Sequence, residues 1–227
     1  MSNTLIIFAK APIVGQVKTR LCPPMTLEQA AGLATYFLID TVERACSLPD
    51  VQVYVAFTPT DSESVFRALL SFPVHYVAQR GHSLGERELN VFRDLQQQEP
   101  RKVVLIGSDI PTLPRSHLQE AFTLLGDPGC NVVLNPTEDG GYCLIGMREP
   151  HAVLFENISW STPAVLQETL AQAQRHNLKV KLLPSWYDVD EASDLHRLAT
   201  DLSQPDRAAE APRTREFLDR LGFSVSR

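Results

Sequence analysis

The chain has 227 residues with a formal net charge of −6, and 44% of them are hydrophobic. A chain of this length can bury a sizeable core without a disulfide or metal staple. The acidic balance excludes a nonspecific nucleic-acid surface. Cys22, Cys46, Cys130 and Cys143 are scattered, with no C-x-x-C pair, which excludes zinc and dithiol motifs. The apolar run at residues 5–9 is far shorter than the ~20 residues of a membrane span. No charged n-region precedes it, so a soluble protein of the reducing cytoplasm is the expectation.

Residues 4–9 (T-L-I-I-F-A) predict a first buried strand. A loop over residues 10–24 follows, with three prolines, one glycine and the basic residues Lys10, Lys18 and Arg20. Thr26-Leu27-Glu28-Gln29 fits a capping box opening a long amphipathic helix to about Ser47. Residues 51–57 predict a strand, 61–70 a short helix capped by Asp61, and 74–78 a third strand. Residues 79–85 form a loop before a polar-faced helix over 86–98. Val103 to Ile106 are four consecutive apolar residues, read as a strand buried on both faces. Gly107, Ser108, Asp109 and Pro111 end it abruptly.

Ser116-His117-Leu118-Gln119 predicts another capping box and a helix to about Leu125. A strand over 131–134, a sharp turn at Glu138-Asp139-Gly140-Gly141 and a strand over 142–147 come next. The last two strands are too close for a helical crossover, so the second is expected to be antiparallel. Thr162-Pro163 predicts a cap and first-turn proline for a helix to about Gln174. A strand over 179–183 leads to Asp188-Val189-Asp190 and a helix starting near Glu191. Residues 203–213 read as a linker and 214–221 as a terminal helix. Alternating strands and helices predict one α/β domain, a mostly parallel sheet covered on both faces.

The chemistry-bearing residues collect at expected strand ends. Asp109 lies just past the carboxyl end of a buried strand, where open α/β sheets bind ligands, although Asp is also a common turn residue. Lys10, Lys18 and Arg20, with Gly15, suit phosphate oxygens or form a solvated basic loop. The loop is neither a Walker A nor a Rossmann fingerprint. If the strands run parallel, Asp188 and Asp190 reach the same edge as Asp109. Three such carboxylates repel unless a cation sits among them, and magnesium suits that role. Asp190 equally fits a helix N-cap. Glu138 and Asp139, beside Gly140 and Gly141, make a hairpin turn that could also hold a hydroxyl or take its proton. His75, His82 and His117 show no ligand spacing.

Five separated segments then match one pattern. They are F-A-K-A-P from Phe8 with V-K-T-R-L from Val17, G-S-D-I-P from Gly107, D-G-G-Y-C-L-I-G from Asp139, S-W-S-T from Ser159, and Asp188-Val189-Asp190. In this order they resemble the DUF2064 family, including its glycosyltransferase-type members, within the GT-A, or nucleotide-diphospho-sugar transferase, superfamily. Two departures stand out. Val14 precedes Gly15 where the family usually has proline, and His82-Ser83-Leu84-Gly85 replaces the usual G-D-L-G.

The resemblance implies a GT-A-like, Rossmann-type αβα sandwich over residues 1–200, with residues 201–227 as a linker and C-terminal helix on the same domain. It implies a nucleotide over the carboxyl edge, faced by Ala9, Lys10, Gly15, Lys18, Arg20 and Ser108. Asp109, with Asp188 or Asp190, would hold Mg2+ or Mn2+. Glu138, Asp139, Gly140 and Gly141 would face the sugar or acceptor, with Asp139 the candidate base. The expected activity is metal-dependent sugar transfer from a nucleoside diphosphate sugar to a small-molecule acceptor, with Asp109 and Asp139 catalytic. No nucleic acid and no membrane span are expected, and a homodimer is left open. The V-K-T-R-L segment also resembles phospholactate guanylyltransferases, making a pyrophosphate-releasing nucleotidyltransferase the alternative. A nucleotide-binding protein without turnover is the third.

Overall fold

The computed structural model describes residues 2–97 and 101–223. Its strands are β1 (Ser2–Lys10), β2 (Val51–Thr58), β3 (His75–Ala78), β4 (Arg101–Gly107), β5 (Val132–Pro136), β6 (Tyr142–Met147) and β7 (Val180–Leu182). Its helices are α1 (Leu27–Cys46), α2 (Glu63–Leu69), α3 (Leu84–Gln96), α4 (Arg115–Leu124), α5 (Val165–Arg175), α6 (Ala192–Leu202), α7 (Pro205–Glu210) and α8 (Pro212–Arg220). The strands form one sheet in the order β3-β2-β1-β4-β6-β5-β7. All run parallel except β6, which is antiparallel to both β4 and β5.

Strand alternation divides the core. Leu5, Ile7, Val104 and Ile106 face a layer built from α1, α2 and α4. Ile6, Val103 and Leu105 face the opposite layer, which includes α3 and α5. Both faces of β1 and β4 are therefore covered, and their sequences read as continuous apolar runs for that reason. A third cluster joins the outer stripe of α1, at Leu33 and Phe37, to α6 and α8. No described helix is long and apolar enough to cross a membrane.

The Thr26 capping box forms as expected. Four other expected caps do not. Ser62, not Asp61, precedes α2. Pro114 precedes α4, so Ser116 lies inside the helix. Ala164 precedes α5; the Thr162 hydroxyl instead accepts from the Ala164 N–H at 3.3 Å in the turn before it. Glu191, not Asp190, precedes α6. Ser62, Pro114 and Ala164 make no side-chain cap bond, whereas at α6 Asp194 accepts from the N–H groups of Asp190 and Glu191. The stretch read as a linker carries α7. Its prolines stand in the first turns of α7 and α8, where a missing N–H costs nothing. The third helix starts two residues earlier than expected, and its expected end at Gln98 lies outside the described residues.

Candidate functional site

The site is built on the carboxyl edge of the sheet. After β4 the Ser108 N–H still donates to the Phe8 carbonyl at 3.1 Å, and the chain then turns. Buried Arg44 of α1 pins that turn by donating to the carbonyls of Pro111 and Ile110. A Cβ at position 107 would lie 2.5 Å from Asp109 Oδ1. A side chain there would have to displace the Asp109 carboxylate, which folds back over the strand end.

Residues 184–190 are led to the same place by backbone pairing. Trp186 N–H donates at 2.9 Å to the carbonyl of Pro136, the last residue of β5. Val189 N–H donates to the Asp109 carbonyl at 3.1 Å, and the Val189 side chain is fully buried. Anchoring Val189 sends Asp188 and Asp190, two residues apart, toward Asp109 together. One carboxylate oxygen from each of Asp109, Asp188 and Asp190 lies within 4.8 Å of the others. Such an all-carboxylate set, without His or Cys, fits a hard divalent cation such as Mg2+ or Mn2+.

A cation of the protein's own already reaches this cluster. Lys18, in the left-handed conformation at φ 49°, places Nζ 2.9 Å from Asp109 Oδ2 and 2.5 Å from Asp190 Oδ1. Its side chain is only 10% exposed. Burial by itself would lower the Lys18 ammonium, but Asp109 and Asp190 outweigh it and hold the ammonium above its ordinary range. Burial likewise pushes the Asp109 carboxyl up, and Lys18 overrides it, leaving Asp109 below the usual range. Asp188 has no such partner among the described residues. Burial, then the charges of Asp109, Asp190 and Asp139, push it up to about 7. Asp190 is free for this cluster because Asp194 caps α6, accepting from the N–H groups of Asp190 and Glu191 at 2.9 and 2.7 Å.

Three cavities open around the acids, of about 320, 370 and 600 Å³. Asp109 lines the first and second, Asp188 the second and third, and Asp190 the first and third. The triad thus stands at their junction. The basic residues of the first loop, Lys10, Lys18 and Arg20, all line the first cavity. Lys10 lines the first two cavities, while Arg20 lines the first and third and pairs with Glu191. Ser108 lines the first and Ala9 the second. Gly15 is exposed and lines none of the three.

Glu138, Asp139 and Gly141 line the third cavity, of about 600 Å³. Asp139 Oδ1 shapes the turn, accepting from Thr137 Oγ1 at 2.5 Å and the Gly141 N–H at 3.0 Å. Gly140 has φ +91°, and a Cβ there would meet the Pro163 carbonyl oxygen at 2.3 Å. Arg197 donates to both Glu138 oxygens, at 2.6 and 2.8 Å, while covering the Tyr187 ring at 3.8 Å. Nothing in the sequence pointed to Arg197, because its partner is 59 positions away. Glu88 was also missed. It is buried on α3 with Gly85, Leu89 and Phe92, and the Tyr142 hydroxyl donates to its Oε2 at 3.1 Å. The available signal was a carboxylate on an apolar helical stripe.

The family model described as "uncharacterized protein conserved in bacteria (DUF2064)" matches residues 41–162. The chain belongs to the DUF2064 family. A crystal structure from Desulfovibrio desulfuricans G20, assigned as a candidate nucleotide-diphospho-sugar transferase, is similar at 30% identity and a TM-score of 0.90, with all of each chain covered. CMP:2-keto-3-deoxy-manno-octonic acid synthetase complexed with CTP is similar at 14% identity and TM-score 0.58, over 89% of this chain and 99% of that one. The 4-diphosphocytidyl-2C-methyl-D-erythritol synthase of Anaerococcus prevotii DSM 20548 is similar at 12% identity and TM-score 0.57, over 96% and 97%. These last two likenesses show the fold alone. No functionally curated protein matches the sequence. In this DUF2064 chain the departure at His82-Ser83 has a local explanation. Ser83 Oγ accepts from the Glu86 N–H at 3.2 Å, and Glu86 Oε2 accepts from the His82 N–H at 2.7 Å. Ser83 thus caps α3 from the position where the family usually has an acid, and an acid would cap equally well.

Proposed function

We propose that this DUF2064 protein is a metal-dependent glycosyltransferase that uses a nucleoside diphosphate sugar. The observation that carries the reading is the acid triad at the junction of three cavities. Asp109, Asp188 and Asp190 would hold magnesium or manganese there, and the bound ion would neutralise charge on a departing diphosphate. Lys18 sits against two of these acids and, once released from them, would meet phosphate oxygens, as would Arg20 and Lys10. Ala9 and Ser108 would flank the nucleotide from the strand ends. The Glu138–Gly141 turn would face the sugar or acceptor, with Glu138 acting through the Arg197 it holds. Asp139 is the candidate base: Oδ1 is committed to the turn, and Oδ2 has no hydrogen bond among the described residues. The likeness to the D. desulfuricans protein, at 30% identity over the whole chain, supports this reading.

One observation favours a second reading. The V-K-T-R-L segment places Lys18 directly against the acids, where it would also suit the α-phosphate of a nucleoside triphosphate. The products separate the two. Sugar transfer, or slow donor hydrolysis, releases a nucleoside diphosphate; nucleotidyl transfer releases pyrophosphate. A panel of nucleotide sugars and nucleoside triphosphates with manganese is expected to yield diphosphate, with a loss of about a thousandfold in Asp109→Asn. Pyrophosphate release that disappears in Asp109→Asn would establish the second reading instead.

A further inference from the structure

We propose that Glu88 and Tyr142 form the part of the site that reads uncharged hydroxyl groups of the transferred sugar, a proposal that rests on the sugar-transfer reading above. Four residues line both the 370 Å³ and the 600 Å³ cavities: Leu84, Glu88, Tyr142 and Asp188. Asp188 belongs to the acid triad, so the Glu88–Tyr142 pair is the other polar feature of that shared wall. A donor whose nucleotide occupies one cavity and whose sugar enters the other passes this wall.

Glu88 is 5% exposed, and its one hydrogen bond among the described residues comes from the Tyr142 hydroxyl. No described cation pairs with it. A carboxyl so placed costs stability, whereas an apolar side chain on the same stripe of α3 would not. Burial pushes Glu88 up to about 8, so it is mostly protonated at neutral pH. A protonated carboxyl offers one donor beside its acceptor oxygens, and the Tyr142 oxygen can accept as well. Donor and acceptor side by side, both neutral, match a sugar hydroxyl and give no attraction to phosphate. Asp188, Asp109, Lys10 and Arg87 line the same cavity, so charged parts of the donor have other partners.

The test is calorimetric binding, with manganese, of UDP and GDP against UDP-glucose and GDP-mannose. Glu88→Met keeps the length and removes the hydrogen-bonding group. It is expected to bind the free diphosphate within about twofold of wild type and the sugar nucleotide about tenfold more weakly. Its melting temperature should not fall, which a purely structural role would require. Glu88→Gln, neutral with a donor and an acceptor, should recover most of the lost affinity. If the methionine variant fails to fold, Tyr142→Phe and Glu88→Gln carry the same comparison. Unchanged sugar-nucleotide affinity, or equal losses for both ligand types, would overturn the proposal and leave sugar transfer standing. A wild-type protein that binds the diphosphates and neither sugar nucleotide would overturn both.

Discussion

Lys18 Nζ lies 2.9 Å from Asp109 Oδ2, joining the first loop to the end of β4 across 91 positions of sequence. The ammonium stands where a metal ion's charge would be wanted, so Lys18 and a bound metal would compete for the same carboxylates. Lys18→Met should therefore bind manganese about tenfold more tightly than wild type in the absence of nucleotide. The same variant should bind a nucleoside diphosphate more weakly, because a phosphate partner is gone. Manganese titration followed by paramagnetic resonance checks the first effect and calorimetry the second. Weaker metal binding in the variant would show that Lys18 organises the acids rather than competing for them.

Asp190 and Asp194 separate the proposed metal ligation from capping. Asp194 accepts both N–H groups at the start of α6, while the Asp190 carboxylate meets Lys18. Asp194→Ala should cost about 1 kcal/mol of stability with little change in metal affinity. Asp190→Ala should weaken metal binding with a smaller change in melting temperature. Paired thermal melts and metal titrations test this, and the reverse pattern would return the cap to Asp190.

Gly107→Ala tests the geometry of the turn. The added methyl would fall 2.5 Å from Asp109 Oδ1 and push the carboxylate off the strand end. Metal affinity should drop about tenfold or more, while the fold, which loses no buried contact, should keep its circular dichroism. Wild-type metal affinity would show that Asp109 relaxes around the methyl.

Stability should depend on pH through Glu88. Its folded value is about 8 against an ordinary 4.5, with burial the main cause and the Tyr142 hydrogen bond opposing it. Between these values the native state holds a proton that the unfolded chain has lost. More protons bound by the native state means that stability falls as pH rises, by a few kcal/mol across that window. Asp188, at about 7 against 3.8, adds a slope of the same sign that ends lower. Denaturant melts of the metal-free protein from pH 5 to pH 9 should show the decline, and Glu88→Gln should remove its upper part. A flat wild-type profile would contradict a buried, protonated Glu88.

Much of this protein can be read from local pattern. Val103 to Ile106 predict a strand covered on both faces because both alternating positions are apolar, and β4 is such a strand. The short connection before Tyr142 predicts an antiparallel β6, since no crossover helix fits. Asp109, Asp188 and Asp190 can be named because each follows a predicted strand. The caps expected at Ser116 and Thr162 fail because α4 starts at Arg115 and α5 at Val165, and at α6 Asp194 rather than Asp190 accepts the N–H groups.

What tertiary structure alone decided is which charges face one another. Spacing carries no information about Lys18 meeting Asp109, Arg197 meeting Glu138, or Tyr142 meeting Glu88, because each pair is far apart in sequence. Local chain chemistry determines strands, helices and turns, since those depend on neighbours within a few residues. The partner of a charged side chain depends on sheet order and helix placement, and a charge pairs with whatever the fold brings within a few ångströms of it.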